Sequence, residues 1–258
     1  MREESLSRMT EPGKDVSGRR RFDWEEYLEE KSKRRRWNGV LLFAAMIILL
    51  FVSAVLLEGR HYLLIGFGGV ALVLVLFFGQ YERRKPRARE VVLLSTLTAL
   101  CVVMNEICAH TIPLHAGTTM VVICGIGLGP EAGFLIGAMS RLVCNFFDGQ
   151  GPWTPWQMFA MGAIGWLAGI LYRKGVLRRS KLSLCIFGVI ASTVIYGGIM
   201  NPASALMWAQ SVNWKIILSY YISGIPVDLV RAIATFFFLW LGAEPMLEKL
   251  DRIKTKYG

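Results

Sequence analysis

Apolar stretches recur along this chain at lengths that suit a lipid bilayer, and that recurrence restricts its fold more than any other feature. They lie at 38–57, 61–79, 90–109, 117–128, 132–147, 156–172, 182–200 and 216–241. A helix needs about 20 mainly apolar residues to cross the hydrocarbon core. Lipid offers no partner for a free amide or carbonyl, so each stretch must be helical. With 54% hydrophobic residues and a mean hydropathy of +0.45, the expected fold class is an all-α integral membrane protein. The stretch at 117–128 is short for a crossing unless it starts as early as Pro113, and Gly129-Pro130-Glu131 predicts a tight turn after it.

The basic residues orient these spans. Of 29 Lys and Arg, 25 fall in the amino-terminal tail, the linker near residue 85, the loop at 173–181 and the carboxyl end, whereas the opposite loops hold only Arg60 and Lys215. Cytoplasmic loops carry the Lys/Arg excess, so both termini are expected inside, with the loops at 106–116, 149–158 and 201–213 outside. The net charge of +10 sits beside apolar segments, which points to topology and anionic lipid headgroups and away from nucleic acid.

The expected organisation is a charged cytoplasmic tail at 1–37, a two-helix membrane extension at 38–79, a basic linker at 80–89 around Pro86, a six-helix membrane domain at 90–243, and a basic cytoplasmic tail at 244–258. The amino-terminal tail is too long and too charged for a signal peptide. Cys101, Cys108, Cys124, Cys144 and Cys185 lie inside apolar stretches without CxxC spacing, which predicts neither a disulfide frame nor a zinc site. No metal and no cofactor is expected.

Polar side chains other than basic flanks concentrate in the three outer loops. The first holds Asn105, Glu106, His110, Thr111 and His115. The second is Asn145-Phe146-Phe147-Asp148-Gly149-Gln150-Gly151-Pro152-Trp153-Thr154-Pro155-Trp156-Gln157-Met158, and the third holds Asn201, Gln210 and Asn213 near Trp208 and Trp214. Two prolines and two glycines stiffen the second loop into turns. Its Trp153 and Trp156 suit either a ligand wall or an interfacial aromatic belt. Glu106 and His110, spaced i, i+4, suit either a ligand or a helix-end pair. Asn201-Pro202 reads as a helix stop.

Charges inside spans cost roughly 2.5 to 3.5 kcal/mol each at a helix centre and so mark function or internal pairing. Arg141 lies four residues before Asn145 on one face. Asp228 and Arg231 share a face at i, i+3. The candidate binding set is Glu106, His110, Arg141, Asn145, Asp148, Gln150, Trp153, Trp156, Gln157, Asn201, Asp228 and Arg231. The competing reading of the buried charges is an ion-pair network that locks the bundle. Gly165 and Gly169, with Gly162, allow close helix approach, within the bundle or to a partner.

A family resemblance rests on Gly127-Leu128-Gly129-Pro130-Glu131-Ala132-Gly133-Phe134 with Gly137 and Ala138, on the Trp-Pro motif at 145–158, and on Gly224-Ile225-Pro226 with Asp228-Leu229. From 87 to 241 the chain resembles the substrate-binding (S) component of an energy-coupling factor transporter. The resemblance implies a six-helix bundle, here preceded by two extra helices, that captures a vitamin from the outer side of a bacterial plasma membrane. It also implies docking through the first bundle helix, around Ser95 and Ala99, on a transmembrane coupling protein served by two cytoplasmic ATPases. Arg231 departs from the expected neutral or titratable residue. Cobalt and nickel relatives are expected to begin outside with a His at the second position, whereas this chain has Arg2 in an inside tail. A cobalamin or another large polar vitamin is the expected ligand.

The chain has no GxxxxGK[ST] pattern to hold ATP and no GxSxG or HExxH site, so it is not expected to be an enzyme by itself. The alternatives are an intramembrane enzyme using Arg141, Asp228, His110 and His115, which would need those groups at one depth, and a scaffold protein.

Overall fold

The computed structural model describes residues 88–111, 116–209 and 213–257, with helical positions scattered between 68 and 79. The chain divides into two compact units, 1–45 and 46–258, and every described residue belongs to the second. The expected tail at 1–37, the span at 38–57 and most of the linker lie outside the described residues, as do His115 and Gln210. The elements are α1 (Ala88–Thr111), α2 (Gly117–Leu128), α3 (Pro130–Asp148), α4 (Thr154–Arg173), α5 (Lys181–Ile190), a π-helical turn (Ala191–Tyr196), α6 (Gly197–Trp208) and α7 (Trp214–Tyr257). No strand occurs among the described residues. Because α5, the π turn and α6 run on as one rod, six helical rods follow residue 88, as the membrane-protein reading requires. Three of these rods, Glu90–Thr111, Lys181–Trp208 and Trp214–Ile253, are long and apolar enough to cross a bilayer.

Helix α2 explains its own shortness. Its 12 residues reach about 18 Å at 1.5 Å per residue, less than a crossing. Yet every residue from Gly117 to Gly127 is buried, because α1, α3, α4, α5 and α7 all pack around it. A helix enclosed by protein needs neither a polar face nor the thickness of the membrane.

Around α2 the helices approach backbone to backbone. A Cβ on Gly133 would lie 2.6 Å from the Cα of Gly125, and one on Gly169 would lie 2.6 Å from the Cα of Pro130. A Cβ on Gly165 would run into the carbonyl of Gly133. Small residues permit such crossings in membranes, where dispersion replaces the hydrophobic drive. The glycines at 162, 165 and 169 therefore face inward, and their face serves the bundle itself. The predicted turn between α2 and α3 is present: Gly129 has φ +102° and Pro130 opens α3, where its missing N–H costs nothing.

The expected helix stop at Asn201-Pro202 is wrong, and the outer loop begins later than 201. Pro202 lies inside α6, which continues to Trp208. Proline removes the amide that would bond the carbonyl four residues earlier, that of Gly198. The Tyr221 hydroxyl of α7 donates to that carbonyl at 3.0 Å, so the helix continues without an orphaned group. Helix α7 also outruns its expected end at 241. Leu239, Ala243, Leu247 and Leu250 are all at most 2% exposed, an inward stripe at spacings of 4, 4 and 3. That stripe continues after overall hydropathy has fallen, so 244–257 forms helix. Lys181 pairs with Glu244 at 3.3 Å, and Arg179 pairs with Asp251.

Candidate ligand-binding site

Where α3 ends and α4 begins, six polar side chains join in one directed chain of hydrogen bonds. Arg141, Asn145 and Asp148 lie at i, i+4 and i+7 on one face of α3, and Thr154 and Gln157 occupy the first turn of α4. Arg141 donates from Nε to Gln157 Oε1 at 3.0 Å and from Nη2 to Asp148 Oδ2 at 3.2 Å. Asn145 donates from Nδ2 to the same Gln157 oxygen at 2.9 Å and to Thr154 Oγ1 at 3.1 Å. Thr154 Oγ1 also accepts from the Gly151 amide at 3.2 Å and donates to Gln150 Oε1 at 2.9 Å. Gln150 Nε2 then donates to the Leu142 carbonyl at 3.2 Å.

The direction of this chain is fixed at both ends. A guanidinium only donates and a backbone carbonyl only accepts. Gln157 must therefore turn its oxygen to Arg141, and Asn145 must turn its nitrogen to Gln157. One acceptor is left over: Asn145 is 0% exposed, and its Oδ1 is buried without a hydrogen-bond partner.

Above the network the loop folds on itself. Gly149 takes φ +104°, which a side chain would strain. Gly151 lies so close to the Trp153 ring that a Cβ would collide with it. Trp153 in turn stacks on Trp208 at the end of α6, with ring centroids 6.1 Å apart and 30° between planes. Phe146 and Phe147 are 71% and 69% exposed beside this loop. Trp156 is only 2% exposed and is among the largest buried side chains, placing it in the core below the loop.

A second polar cluster joins α6 to α7. Asp228 and Arg231 are bonded at 3.4 Å, with side chains 13% and 14% exposed. Asn201 Nδ2 donates to the other Asp228 oxygen at 3.0 Å. The Arg231 guanidinium lies 3.9 Å over the Tyr196 ring, a cation–π contact, and Ser192 pairs with Thr235 at 3.0 Å. Gly197 faces the Asp228 carboxylate, and Gly224 faces the Asn201 amide. The π turn carries Ser192 and Tyr196 into this seam.

The third group sits on α1. Glu106 accepts from Asn105 Nδ2 at 3.1 Å, and Asn105 also bonds Cys144 at 3.6 Å and the Gly117 amide at 3.3 Å. His110 is 70% exposed and lies 3.8 Å from Glu106 Oε2. Ser95 and Ala99 are exposed on the outer face of α1, and Ser95 returns its hydroxyl to the Val91 carbonyl at 2.9 Å. No group of three His, Cys, Asp or Glu among the described residues could hold a metal.

The structure thus unites Arg141, Asn145, Asp148, Gln150 and Gln157, sets Asn201, Asp228 and Arg231 in a separate seam, and leaves Glu106 with His110. Sequence reasoning left Thr154 out of the candidate binding set although it is the node of the network. It gave no role to Tyr196 or Tyr221, whose only signal was an aromatic beside the Gly197-Gly198 pair and another about two turns before Asp228.

The family model for the ECF-type riboflavin transporter, S component, matches residues 85–242. The chain belongs to that family. Its match opens within the basic linker and closes within α7, so the two leading apolar stretches lie outside it. This S component is accordingly a multi-pass membrane protein and the substrate-binding subunit of a vitamin transporter, not an enzyme. No curated protein and no solved structure matches the chain.

Proposed function

We propose that this S component captures its vitamin at the outer ends of α3, α4 and α6, beneath the Trp153 loop, and hands it inward with partners that hydrolyse ATP. The observation that carries the reading is the Asn145-centred network, a set of amide, hydroxyl and guanidinium groups roofed by the Trp153–Trp208 stack. Flat aromatic walls with a few directed polar groups suit a planar heteroaromatic ligand with a polar periphery. The Asn201–Asp228–Arg231 seam forms the inner wall, and Glu106 with His110 flanks the approach on the α1 side.

Riboflavin fits that chemistry, and the family description supports it. Cobalamin, expected from the branch of the family that the chain resembles, is the rival ligand. The chain lacks an ATP-binding loop, so two ATPases and a transmembrane coupling protein supply the power stroke, with the exposed Ser95 and Ala99 face of α1 as the docking surface. The plasma membrane of a bacterium is the setting.

Native mass spectrometry on the protein purified gently from its own host tests the reading. A stoichiometric flavin adduct is the expected result, and a corrinoid adduct would replace riboflavin with the rival. Protein that is empty and stays empty when offered either vitamin would overturn vitamin capture by this chain.

A further inference from the structure

We infer that the orphaned Asn145 Oδ1 is the acceptor through which the site selects its ligand, so the vitamin must present an N–H or O–H donor to it. The inference rests on the vitamin-capture reading above and adds the polarity of the recognition. Three observations support it. First, the amide cannot be turned around. Arg141 only donates, which obliges Gln157 to offer Oε1, which obliges Asn145 to offer Nδ2. Flipping Asn145 would set two carbonyl oxygens against each other. Second, both hydrogens of that nitrogen are already used, on Gln157 and Thr154, so the remaining capacity of the side chain is that of an acceptor alone. Third, Asn145 is 0% exposed and its Oδ1 has no partner, although leaving a buried polar atom unpaired is unfavourable.

A fold that holds such an atom in place with five other side chains has an occupant for it. A donor from the ligand bonds that oxygen and recovers that cost. A ligand carrying only an acceptor or a methyl group at this point leaves the cost in place or adds repulsion. Discrimination of this kind, where a site built to bond a polar group rejects the analogue lacking it, is far steeper than an apolar pocket gives. Asn145 is fully buried near the carboxyl end of α3, so occupancy requires the chain around it to open.

The test uses the intact chain in lipid nanodiscs and two probes, riboflavin and 3-methylriboflavin, in which the single ring N–H is replaced by N–CH3. Flavin fluorescence quenching reads both affinities. The expected result is binding of riboflavin at least tenfold tighter than of the methylated probe in the unaltered protein, with the difference abolished in Asn145→Leu. Riboflavin binding that methylation leaves unchanged overturns the inference while the vitamin reading stands, since a buried water then holds the acceptor. Discrimination that persists in Asn145→Leu overturns it as well. Failure of the unaltered protein to bind riboflavin overturns the inference, and failure to bind cyanocobalamin as well overturns the reading beneath it. The methylated probe needs no mutant, so misfolding of Asn145→Leu cannot obscure the outcome.

Discussion

The α2–α3–α4 core and the α6–α7 seam bring helices into close contact by opposite means. In the core, glycines let backbones touch, and no charged side chain intervenes among Gly125, Gly133, Gly165 and Gly169. In the seam, glycines at 197 and 224 make room for Asp228 and Asn201, and the contact is an ion pair, a hydrogen bond from the Asn201 amide and a cation–π contact. The core is close-packed and shape-determined. The seam is polar and satisfied only while every partner is present. A platform of the first kind fixes the angle between α3 and α4, on which the Asn145 network depends. A seam of the second kind holds a proline-containing helix against a neighbour that repairs its hydrogen bonding.

Substitutions at the two places should fail differently. The largest effect is expected from Gly165→Leu, whose added atoms meet the Gly133 carbonyl and Val121. Overpacking costs about 1 to 3 kcal/mol per well-packed site and more where backbone must move. Loss of the folded monomer by gel filtration is therefore expected, with no rescue by salt or pH. Asp228→Ala comes next: it leaves Arg231 without its carboxylate in a largely buried site, and breaking one partner of a buried pair costs about 3 to 5 kcal/mol. Replacing both residues, as Asp228→Asn with Arg231→Met, should recover most of that loss in thermal unfolding. Failure to recover would mean that the seam is shape-determined like the core.

A smaller and sharper effect belongs to Tyr221→Phe. It orphans the Gly198 carbonyl, at a cost of roughly 1 to 3 kcal/mol. In a Pro202→Ala background the restored amide of residue 202 can take that carbonyl, so the same substitution should cost much less. Equal costs in both backgrounds would break the argument for why α6 passes through Pro202. The least effect is expected from Glu244→Gln. Its pair with Lys181 is about half exposed on both sides, and exposed pairs contribute about 0 to 1 kcal/mol.

How much of this was legible in the sequence differs along the chain. The six rods could be read because lipid forces helix wherever apolar runs persist, and the Gly129-Pro130 turn because its chemistry is local. The end of α7 was misplaced because hydropathy averages over a helix, whereas burial follows the single stripe of Leu239, Ala243, Leu247 and Leu250. Pro202 misled because the repair of its missing bond comes from Tyr221, 19 residues further on and in another helix. In the site, Arg141, Asn145 and Asp148 could be grouped by helical spacing, and Gln157 came in with the loop motif. Trp156 looked equivalent to Trp153, but with α4 starting at Thr154 its side chain turns into the core while Trp153 stays outside the helix. The unpaired oxygen of Asn145 could not be read at all, since it follows from who donates to whom across a turn.

The central claim is that the network under the Trp153 loop holds the vitamin, and equilibrium titration of riboflavin into the intact protein and its Gln157→Ala variant tests it most directly. Gln157 Oε1 is the oxygen that both Arg141 and Asn145 bond, so its removal dissolves the network while the glycine core remains. The account predicts affinity lower by about tenfold to a hundredfold, equivalent to roughly 1.4 to 2.8 kcal/mol, with the unfolding temperature shifted by only a few degrees. Unchanged affinity in a protein whose network has been dissolved would contradict it and move the ligand elsewhere in the bundle.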